Sequence, residues 1–310
     1  MKIISVINYK GGVGKTSLTV NLAAELAFRG KKILLLDMDA QASLTFSMIA
    51  PDDWKTNYES KSTIKAWFDS FESGQPISLK SIVHTPERIN RRLGSAGGRI
   101  DAIYSHLGLI NVDLELASSL GGTSLVQSKK NFIKVHRRLL DGLQVFKDSD
   151  YDLLLIDCPP NFNIVTKTAI IASDYILVPA RPDYLSTMGI DYLLGSVKRL
   201  VADYNEYAAL DQGERVATIK PKVLGIVFTM IQEYGAEPMA AQRAFMTQHR
   251  RAGVAVYNAY IKRNDTLFAD APQYGVPVVL NRYTSGSHQS VVDGLEEVAT
   301  EFGKQMNWWK

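Results

Sequence analysis

The sequence predicts an α/β fold with a doubly wound, mostly parallel sheet flanked by helices. Residues 2–8 are rich in β-forming residues and run directly into a glycine pair, as a buried strand that ends in a loop does. Residues 15–29 place leucine and alanine at helical spacing, and residues 32–36 form a second apolar run. A strand, a helix and a strand within about 35 residues make a βαβ unit, which joins parallel strands.

Later segments extend this pattern. Three apolar runs have the character of buried parallel strands, at 153–156, 175–178 and 223–228. Helical patterns follow near 186–204, 237–250 and 287–306, and residues 276–280 are a late strand candidate. Residues 50–105 mix tryptophan and phenylalanine with many glycines and polar residues. We interpret this stretch as an insertion of short helices and loops within a single domain that spans residues 1–310.

The composition is that of a globular protein. Of 310 residues, 46% are hydrophobic and 22% are charged, and the formal net charge is +3. So small a surplus does not by itself indicate nucleic-acid binding. The single cysteine, Cys158, excludes an intrachain disulfide and a cysteine-based zinc or four-thiolate iron–sulfur site. No signal-peptide pattern or apolar run of ~18 residues is present, so we expect a cytoplasmic protein.

A phosphate-binding loop is predicted after the first strand. The segment reads Tyr9-Lys10-Gly11-Gly12-Val13-Gly14-Lys15-Thr16-Ser17 and opens a predicted helix, which is the context that a P-loop requires. Glycines let backbone N–H groups surround a phosphate, and the helix N-terminus adds partial positive charge. Lys15 is expected to reach the β- and γ-phosphates and Thr16 to bind Mg²⁺. The phosphate-binding set is Gly11, Gly12, Val13, Gly14, Lys15, Thr16 and Ser17; a glycine-rich turn that binds nothing is the structural alternative.

Carboxylates are expected at the same edge of the sheet. Asp39 and Asp157 both follow apolar strands, and ligands of open α/β folds bind at the carboxyl ends of the strands. Asp37 ends the second strand and is either structural or part of the site.

The motifs resemble those of the ParA/MinD family of ATPases. The loop is similar to the deviant Walker A motif of that family, K-G-G-x-G-K-[ST]. Residues 37–43 resemble its D-x-D-P-Q-G-N segment, with Ala40, Ala42 and Ser43 in place of proline, glycine and asparagine. Residues 153–160 resemble its Walker B segment, residues 107–114 its middle-strand segment, and residues 271–277 its late A-P-S-Y-G-K-P stretch. The resemblance covers residues 2 to about 300, and 50–105 is poorly matched.

The resemblance implies an ATPase, a hydrolase with ATP and Mg²⁺ as cofactors, in a P-loop NTPase fold. Its catalytic residues would be Lys10, Lys15 and Asp39, and its metal-site residues Thr16, Asp39 and Asp157. Lys10 would cross the interface of a homodimer and contact the partner's nucleotide, the alternative being a solvated loop lysine. Thr229 and Met230 would contact adenine, although an ordinary strand end is the alternative for Thr229. Lys262 stands where the family usually has proline.

Basic segments favour DNA as the partner of this ATPase. Residues 238–264 contain no acidic residue but five candidate DNA-binding residues, namely Arg243, Arg250, Arg251, Lys262 and Arg263. Residues 116–140 contain a second basic group, Lys129, Lys130, Lys134, Arg137 and Arg138. Such patches neutralise phosphates without reading bases; a solvated face is the alternative. ParA-like proteins bind DNA non-specifically as ATP-bound dimers, so the resemblance implies partitioning of a plasmid, a chromosome or another cargo, and nucleoid association when ATP is bound. It also implies hydrolysis stimulated by a ParB-type centromere-binding partner or an equivalent.

Two alternatives remain open. A MinD-like protein would place its last helix on a membrane, but Glu296, Glu297 and Glu301 make the polar face acidic, so a membrane role is disfavoured. Trp308 and Trp309 are the only features there that favour an interfacial anchor. A metabolic enzyme of the same superfamily would need a dedicated polar cluster, which the sequence does not show. A nitrogenase-type reductase would need cluster thiolates, and Cys158 stands alone.

Overall fold

A parallel six-stranded sheet forms the centre of the molecule in the computed structural model, which describes residues 1–95, 97–209, 216–235, 237–251 and 253–309. The strand order is β3-β2-β4-β1-β5-β6, and every neighbouring pair is parallel. The strands are β1 (Lys2–Val6), β2 (Lys32–Asp37), β3 (Arg99–Ile103), β4 (Leu153–Asp157), β5 (Tyr175–Ala180) and β6 (Lys222–Phe228). A separate antiparallel ribbon pairs β7 (Glu233–Tyr234) with β8 (Glu237–Pro238). The predicted α/β class and parallel sheet are confirmed.

Helices cover both faces of the sheet, so each strand is buried on both sides. One face packs against α4 (Ile64–Glu72), α6 (Leu109–Ser118), α7 (Leu125–Leu143), α8 (Ile164–Ala172), α9 (Tyr184–Ala209) and α10 (Ala240–Arg251). The other packs against α1 (Lys15–Phe28), α2 (Ser43–Phe46), α3 (Pro51–Asn57), α5 (Glu87–Leu93), α11 (Asp265–Tyr274) and α12 (Gly286–Gln305). Short 3₁₀ helices lie at Leu79–Ile82 and Val278–Leu280. The predicted helices near 186–204, 237–250 and 287–306 correspond to α9, α10 and α12.

The strand register brings the functional loops together. Asp157 at the end of β4 is paired with Val6 at the end of β1 and with Asp37 at the end of β2. The loops that follow these three strands therefore leave the sheet side by side at its carboxyl edge.

Two predicted strands were wrong. Residues 107–114, matched to a middle strand, lie mainly in α6, because Leu109, Val112 and Leu116 are buried at helical spacing. Residues 276–280 contain the 3₁₀ helix Val278–Leu280, whose Val279 N–H donates to the Asn21 side chain at 3.0 Å. The backbone N–H of Val279 therefore bonds to a side chain of α1 and not to a neighbouring strand.

Residues 50–105 are integrated with the rest of the fold. They contain α3, α4 and α5, as predicted for short helices, but also β3, which the sequence analysis did not identify. Trp54, Trp67 and Phe68 are all buried in the two cores beside the sheet. Ala96 of this stretch and Ala252 of the 238–264 segment lie outside the described residues.

Candidate nucleotide site

The loop between β1 and α1 has a backbone that depends on glycine. Gly12 has φ 67° and Gly14 has φ 77°, values that side chains other than glycine rarely adopt. An added Cβ at Gly12 would meet no atom within 4 Å, so its conformation and not lack of space favours glycine. Gly14 occupies the N-cap of α1 without a side-chain cap, which leaves the first N–H groups of the helix available to an anion.

Lys15 is a buried cation with weak partners. Its side chain is 7% exposed, and its Nζ donates at 3.3 Å to the carbonyl oxygens of Asn8 and Lys10. Burial lowers the pKa of Lys15, and the nearby carboxylates of Asp157 and Asp39 partly offset this effect. A phosphate oxygen in the loop would give the ammonium a stronger, charged partner.

Thr16 and Asp157 have atoms suited to Mg²⁺. The Thr16 hydroxyl donates to Asp157 Oδ2 at 2.6 Å, while Oδ1 of Asp157 is buried without a hydrogen-bond partner. Burial raises the pKa of Asp157, with the Thr16 hydrogen bond and Lys15 acting in the opposite direction. A hydroxyl beside an unsatisfied carboxylate oxygen fits a hard cation that prefers oxygen ligands.

Asp37 and Asp39 hold different positions. Asp37 is fully buried and accepts three hydrogen bonds, from the backbone N–H and hydroxyl of Thr45 and from the backbone N–H of Asp39. It therefore shapes the loop after β2. Asp39 lies in the wall of the cavity with Lys15 and Thr16, and its Oδ1 accepts from the Gln41 N–H at 2.9 Å. Ala42, which stands where the family has glycine, has φ 52°.

A cavity of about 500 Å³ opens beside the loop. Its polar lining includes the loop residues with Asp39 and Gln41. Its apolar lining includes Met230, Phe268, Ala271, Pro272, Val276 and Pro277. Met230, which the sequence analysis named as an adenine contact, is thus part of the cavity wall. Thr229 is 2% exposed and its hydroxyl donates to the Val13 carbonyl oxygen at 2.8 Å, so it braces the loop while facing a smaller cavity of about 170 Å³.

Lys10 is held within the chain. Its Nζ donates to both carboxylate oxygens of Asp183, at 2.9 and 3.0 Å. Asp183 also accepts from the Ser186 N–H at 2.9 Å, so it stabilises the start of α9. The same carboxylate thus connects the loop lysine with α9, whose first turns present Tyr184, Leu185, Met188 and Tyr192 to solvent.

Three of the five predicted DNA-binding residues have an acidic partner in the folded chain. Arg243 pairs with Glu237, Lys262 with Glu233 at 2.8 Å, and Arg263 with Asp265 at 2.7 Å. Arg250 donates to the Tyr257 carbonyl oxygen and Asn258 Oδ1, each at 3.2 Å, and within the described chain Arg251 has no ion pair. In the second group, Lys129 pairs with Glu206, Arg137 pairs with Asp141, and Arg138 lies over the Phe71 ring. The DNA-binding roles stay predictions.

The C-terminal tryptophans pack on the protein. Trp308 and Trp309 are half-buried, with Lys31 over the first ring and Arg29 over the second. The Trp309 indole N–H donates to the Thr300 carbonyl oxygen at 3.1 Å. Among the described helices, none combines the length and the apolar character needed to cross a membrane.

Two groups of site residues escaped the sequence analysis. Asp183, the partner of Lys10, follows β5 at the carboxyl edge of the sheet. The rule that identified Asp39 and Asp157 from the ends of their strands could have identified Asp183 as well. The apolar wall comes from α11 and the residues after it. Residues 271–277 were matched to a family motif, but no role was assigned to them.

Comparison with known proteins agrees with this geometry. Residues 1–209 match a family model described as an AAA domain. The sporulation initiation inhibitor protein Soj of Bacillus subtilis is 26% identical over 301 residues, covering 96% of this chain and 98% of that protein. The chromosome partitioning protein ParA of Caulobacter vibrioides is 24% identical over 300 residues, covering 96% of this chain and 94% of that protein. The chain belongs to the ParA family of AAA-domain proteins.

The ParA-family fold is also seen in a solved structure. An ATP complex of an McdA variant from Cyanothece superimposes with a TM-score of 0.70 at 17% identity, covering 99% of this chain and 96% of that one. At that identity the likeness concerns the fold alone. The predicted family and fold are confirmed.

Proposed function

We propose that this protein is a ParA-like partitioning ATPase that binds Mg²⁺-ATP, dimerises around it and binds DNA non-specifically when ATP is bound. The observation that carries the proposal is the meeting of Lys15, Thr16 and an unsatisfied Asp157 oxygen beside a glycine loop at the carboxyl edge of the sheet. The lining of the cavity next to them offers polar groups for phosphates and apolar side chains for a base.

The residues divide the work of binding between them. The N–H groups of the loop and of the first turn of α1 would surround the phosphates, and Lys15 would neutralise charge on the terminal one. Thr16 and Asp157 would hold Mg²⁺, which supplies charge neutralisation to the phosphates when bound. Met230, Phe268 and Pro272 would enclose the base.

Hydrolysis requires a water molecule in line with the terminal phosphoryl group. Asp39 lies in the same cavity wall as Lys15 and Thr16, with Oδ1 fixed by the Gln41 N–H, so it would orient that water. The Asp37 carboxylate holds the loop that carries Asp39 by accepting hydrogen bonds from the Asp39 and Thr45 N–H groups. The Ser105 hydroxyl also donates to the Asp39 carbonyl oxygen at 2.7 Å. We propose slow basal turnover, stimulated by a ParB-type partner.

Lys10 connects the nucleotide to assembly. In the single chain it is paired with Asp183, and both side chains are about one third exposed, at 32% and 37%. A partner subunit that presents a phosphate would compete with Asp183 for this ammonium. Dimer formation would then depend on which nucleotide is bound, because a ligand shifts an equilibrium by its different affinity for the two states.

The decisive experiment measures binding to a random DNA duplex at fixed salt. Wild type, Lys10→Ala and the control Lys55→Ala, which removes an exposed lysine of α3, are compared without nucleotide, with ADP and with a slowly hydrolysed ATP analogue. We expect DNA binding only in the presence of the ATP analogue. Lys55→Ala should retain this DNA binding, and Lys10→Ala should lose both the DNA binding and the dimer. Absence of DNA binding in every nucleotide state would refute the DNA-binding part of the proposal.

A further inference from the structure

A second cavity, of about 540 Å³, lies beside α5 and is rich in arginine. Its lining residues are Arg88, Arg91, Arg92, Tyr274, Val276 and Asn281. We call it the arginine cavity. All three arginines are exposed, and the Tyr274 side chain is 65% exposed at the rim.

The positive charge of the arginine cavity is hardly neutralised. Within the described residues, neither Arg88 nor Arg92 has a carboxylate at ion-pair distance. Arg91 pairs with Glu87 at 3.6 Å, but these side chains are 79% and 84% exposed, so the pair is weak. This contrasts with Lys262, whose ion pair with Glu233 at 2.8 Å joins side chains that are only 26% and 20% exposed.

The cations are held in place by the fold. Arg92 donates from Nε to the Leu280 carbonyl oxygen at 3.3 Å and from an Nη to Asn281 Oδ1 at 3.2 Å. Arg88 lies against Gly275, where an added Cβ would come within 3.2 Å of Arg88 Cδ. Ordering side chains in advance lowers the entropy cost of binding a ligand.

We propose that the arginine cavity binds the phosphodiester backbone of nucleic acid, with Tyr274 contacting a base or sugar. Guanidinium groups form strong, charge-assisted hydrogen bonds with phosphate oxygens. Tyrosine hydroxyl groups are among those that hydrogen-bond the phosphates and sugars of a duplex beside such cations. The inference rests on the DNA binding of the proposed function and assigns it a surface outside residues 238–264.

The position of the arginine cavity links it to the nucleotide. Val276 lines both cavities, and the segment 271–277 separates them, with Ala271 and Pro272 on the nucleotide side and Tyr274 on the arginine side. A nucleotide seated against Pro272 therefore touches the segment that carries Tyr274.

The test compares wild type, the double variant Arg88→Gln/Arg92→Gln, Tyr274→Ala and the control Arg282→Gln. Arg282 is an equally exposed arginine nearby, but it pairs with Glu296 at 2.8 Å. The readout is fluorescence anisotropy of a labelled 20-mer duplex with the ATP analogue, over a series of salt concentrations. Nucleotide affinity and dimer formation are measured on the same samples.

We expect the double variant to lose roughly tenfold in DNA affinity and its salt slope to fall by about two, since each lost phosphate contact lowers the slope by about one. Tyr274→Ala should weaken binding without changing the slope, and Arg282→Gln should match wild type. Nucleotide affinity and dimerisation should stay unchanged in all of them.

Three outcomes would overturn the inference. If the double variant binds DNA like wild type, the arginine cavity is not a DNA surface, although the proposed function stands. If AMP binds wild type and not the double variant, while both bind the duplex equally, the site takes a free nucleotide instead. If wild type binds no duplex in any nucleotide state, both the DNA-binding part of the proposed function and this inference fail.

Discussion

The phosphate loop and the basic segment 238–264 differ in what determines their chemistry. At the loop, neighbours in the sequence set the geometry, because Gly12 and Gly14 bend the backbone and α1 begins at once. In the basic segment, residues outside it decide the charge. Glu233 and Asp265, just beyond its two ends, pair with Lys262 and Arg263.

This difference has a physical origin. A helix N-terminus and a left-handed backbone are local properties, fixed within a few residues. The field at a surface sums over all charges within about a Debye length, ~10 Å at ordinary salt, whichever part of the chain supplies them. A local glycine pattern therefore predicts a phosphate loop better than the count of charges in a sequence window predicts a DNA-binding patch.

The largest effect that tests this comparison is expected from Lys15→Met. Without the Lys15 ammonium, phosphate charge would stay uncompensated in a partly enclosed cavity. We expect this to weaken the free energy of ATP binding by about 3–5 kcal/mol, a loss of at least about 100-fold in ATP affinity. Arg243→Met, which removes a neutralised arginine, should leave nucleotide affinity unchanged within about twofold.

Isothermal titration calorimetry with ATP and Mg²⁺ measures the nucleotide affinity of both variants, and circular dichroism verifies that each is folded. If Lys15→Met and Arg243→Met lost equal ATP affinity, the nucleotide site would not depend more on its local loop than on a distant surface charge.

The next effect concerns His136 on the buried side of α7, the helix that carries the second basic group. Its ring is 1% exposed, and burial lowers its pKa from 6.5 to about 4. The folded state thus binds fewer protons than the unfolded chain between these values. The contribution of the neutral His136 ring to the free energy of unfolding is therefore complete above pH 6.5. It is lost as the pH drops towards 4, by about 3 kcal/mol in all.

Urea unfolding of wild type and His136→Phe at pH 7 and pH 5 measures this contribution. The variant should lose less stability than wild type between the two pH values, and the half-buried control His288→Phe should behave like wild type. Parallel losses in wild type and His136→Phe would show that other groups cause the acid sensitivity.

The fold was largely predictable because buried parallel strands are continuous apolar runs. Runs 153–156, 175–178 and 223–228 all became strands of the sheet. The edge strand β3 was missed, since its sequence Arg-Ile-Asp-Ala-Ile includes a buried Asp101 that interrupts the run. That carboxylate accepts hydrogen bonds from Thr85 and Tyr151, which are contacts that only the folded chain provides.

The site was predictable as far as backbone motifs define it. The loop, Thr16, Asp39 and Asp157 share one sheet edge, as the strand ends indicated. The role of Thr229 as a brace depends on its distance to Val13, more than 200 residues away in sequence. The ion pair of Lys10 with Asp183 likewise joins two loops that only the strand order brings together.

A smaller effect is expected from Asp183→Asn. The amide can still accept from the Ser186 N–H, but it removes the negative charge that holds Lys10. Since the pair is about one third exposed, its release is worth about 0.5 kcal/mol, and a dimer releases two such pairs, so ATP-dependent dimerisation should strengthen about fivefold.

Sedimentation velocity with the ATP analogue measures the dimerisation of Asp183→Asn, with Asp148→Asn as an exposed control on the N-terminal amine. Weaker dimerisation in Asp183→Asn would mean that Asp183 supports the dimer and does not restrain the lysine.

The smallest effect is expected from Glu237→Gln, which removes the acidic partner of Arg243. Both side chains are largely exposed, at 67% and 49%, so the folded state should be unaffected. If neutralisation is what weakens the basic segment, DNA affinity with the ATP analogue should rise about twofold to threefold and the salt slope should increase by up to about one. Anisotropy titration of wild type, Glu237→Gln and the double variant Glu237→Gln/Arg243→Gln measures this change. A gain that persists in the double variant would show that Arg243 is not the cation released, and no gain at all would place Arg243 away from DNA.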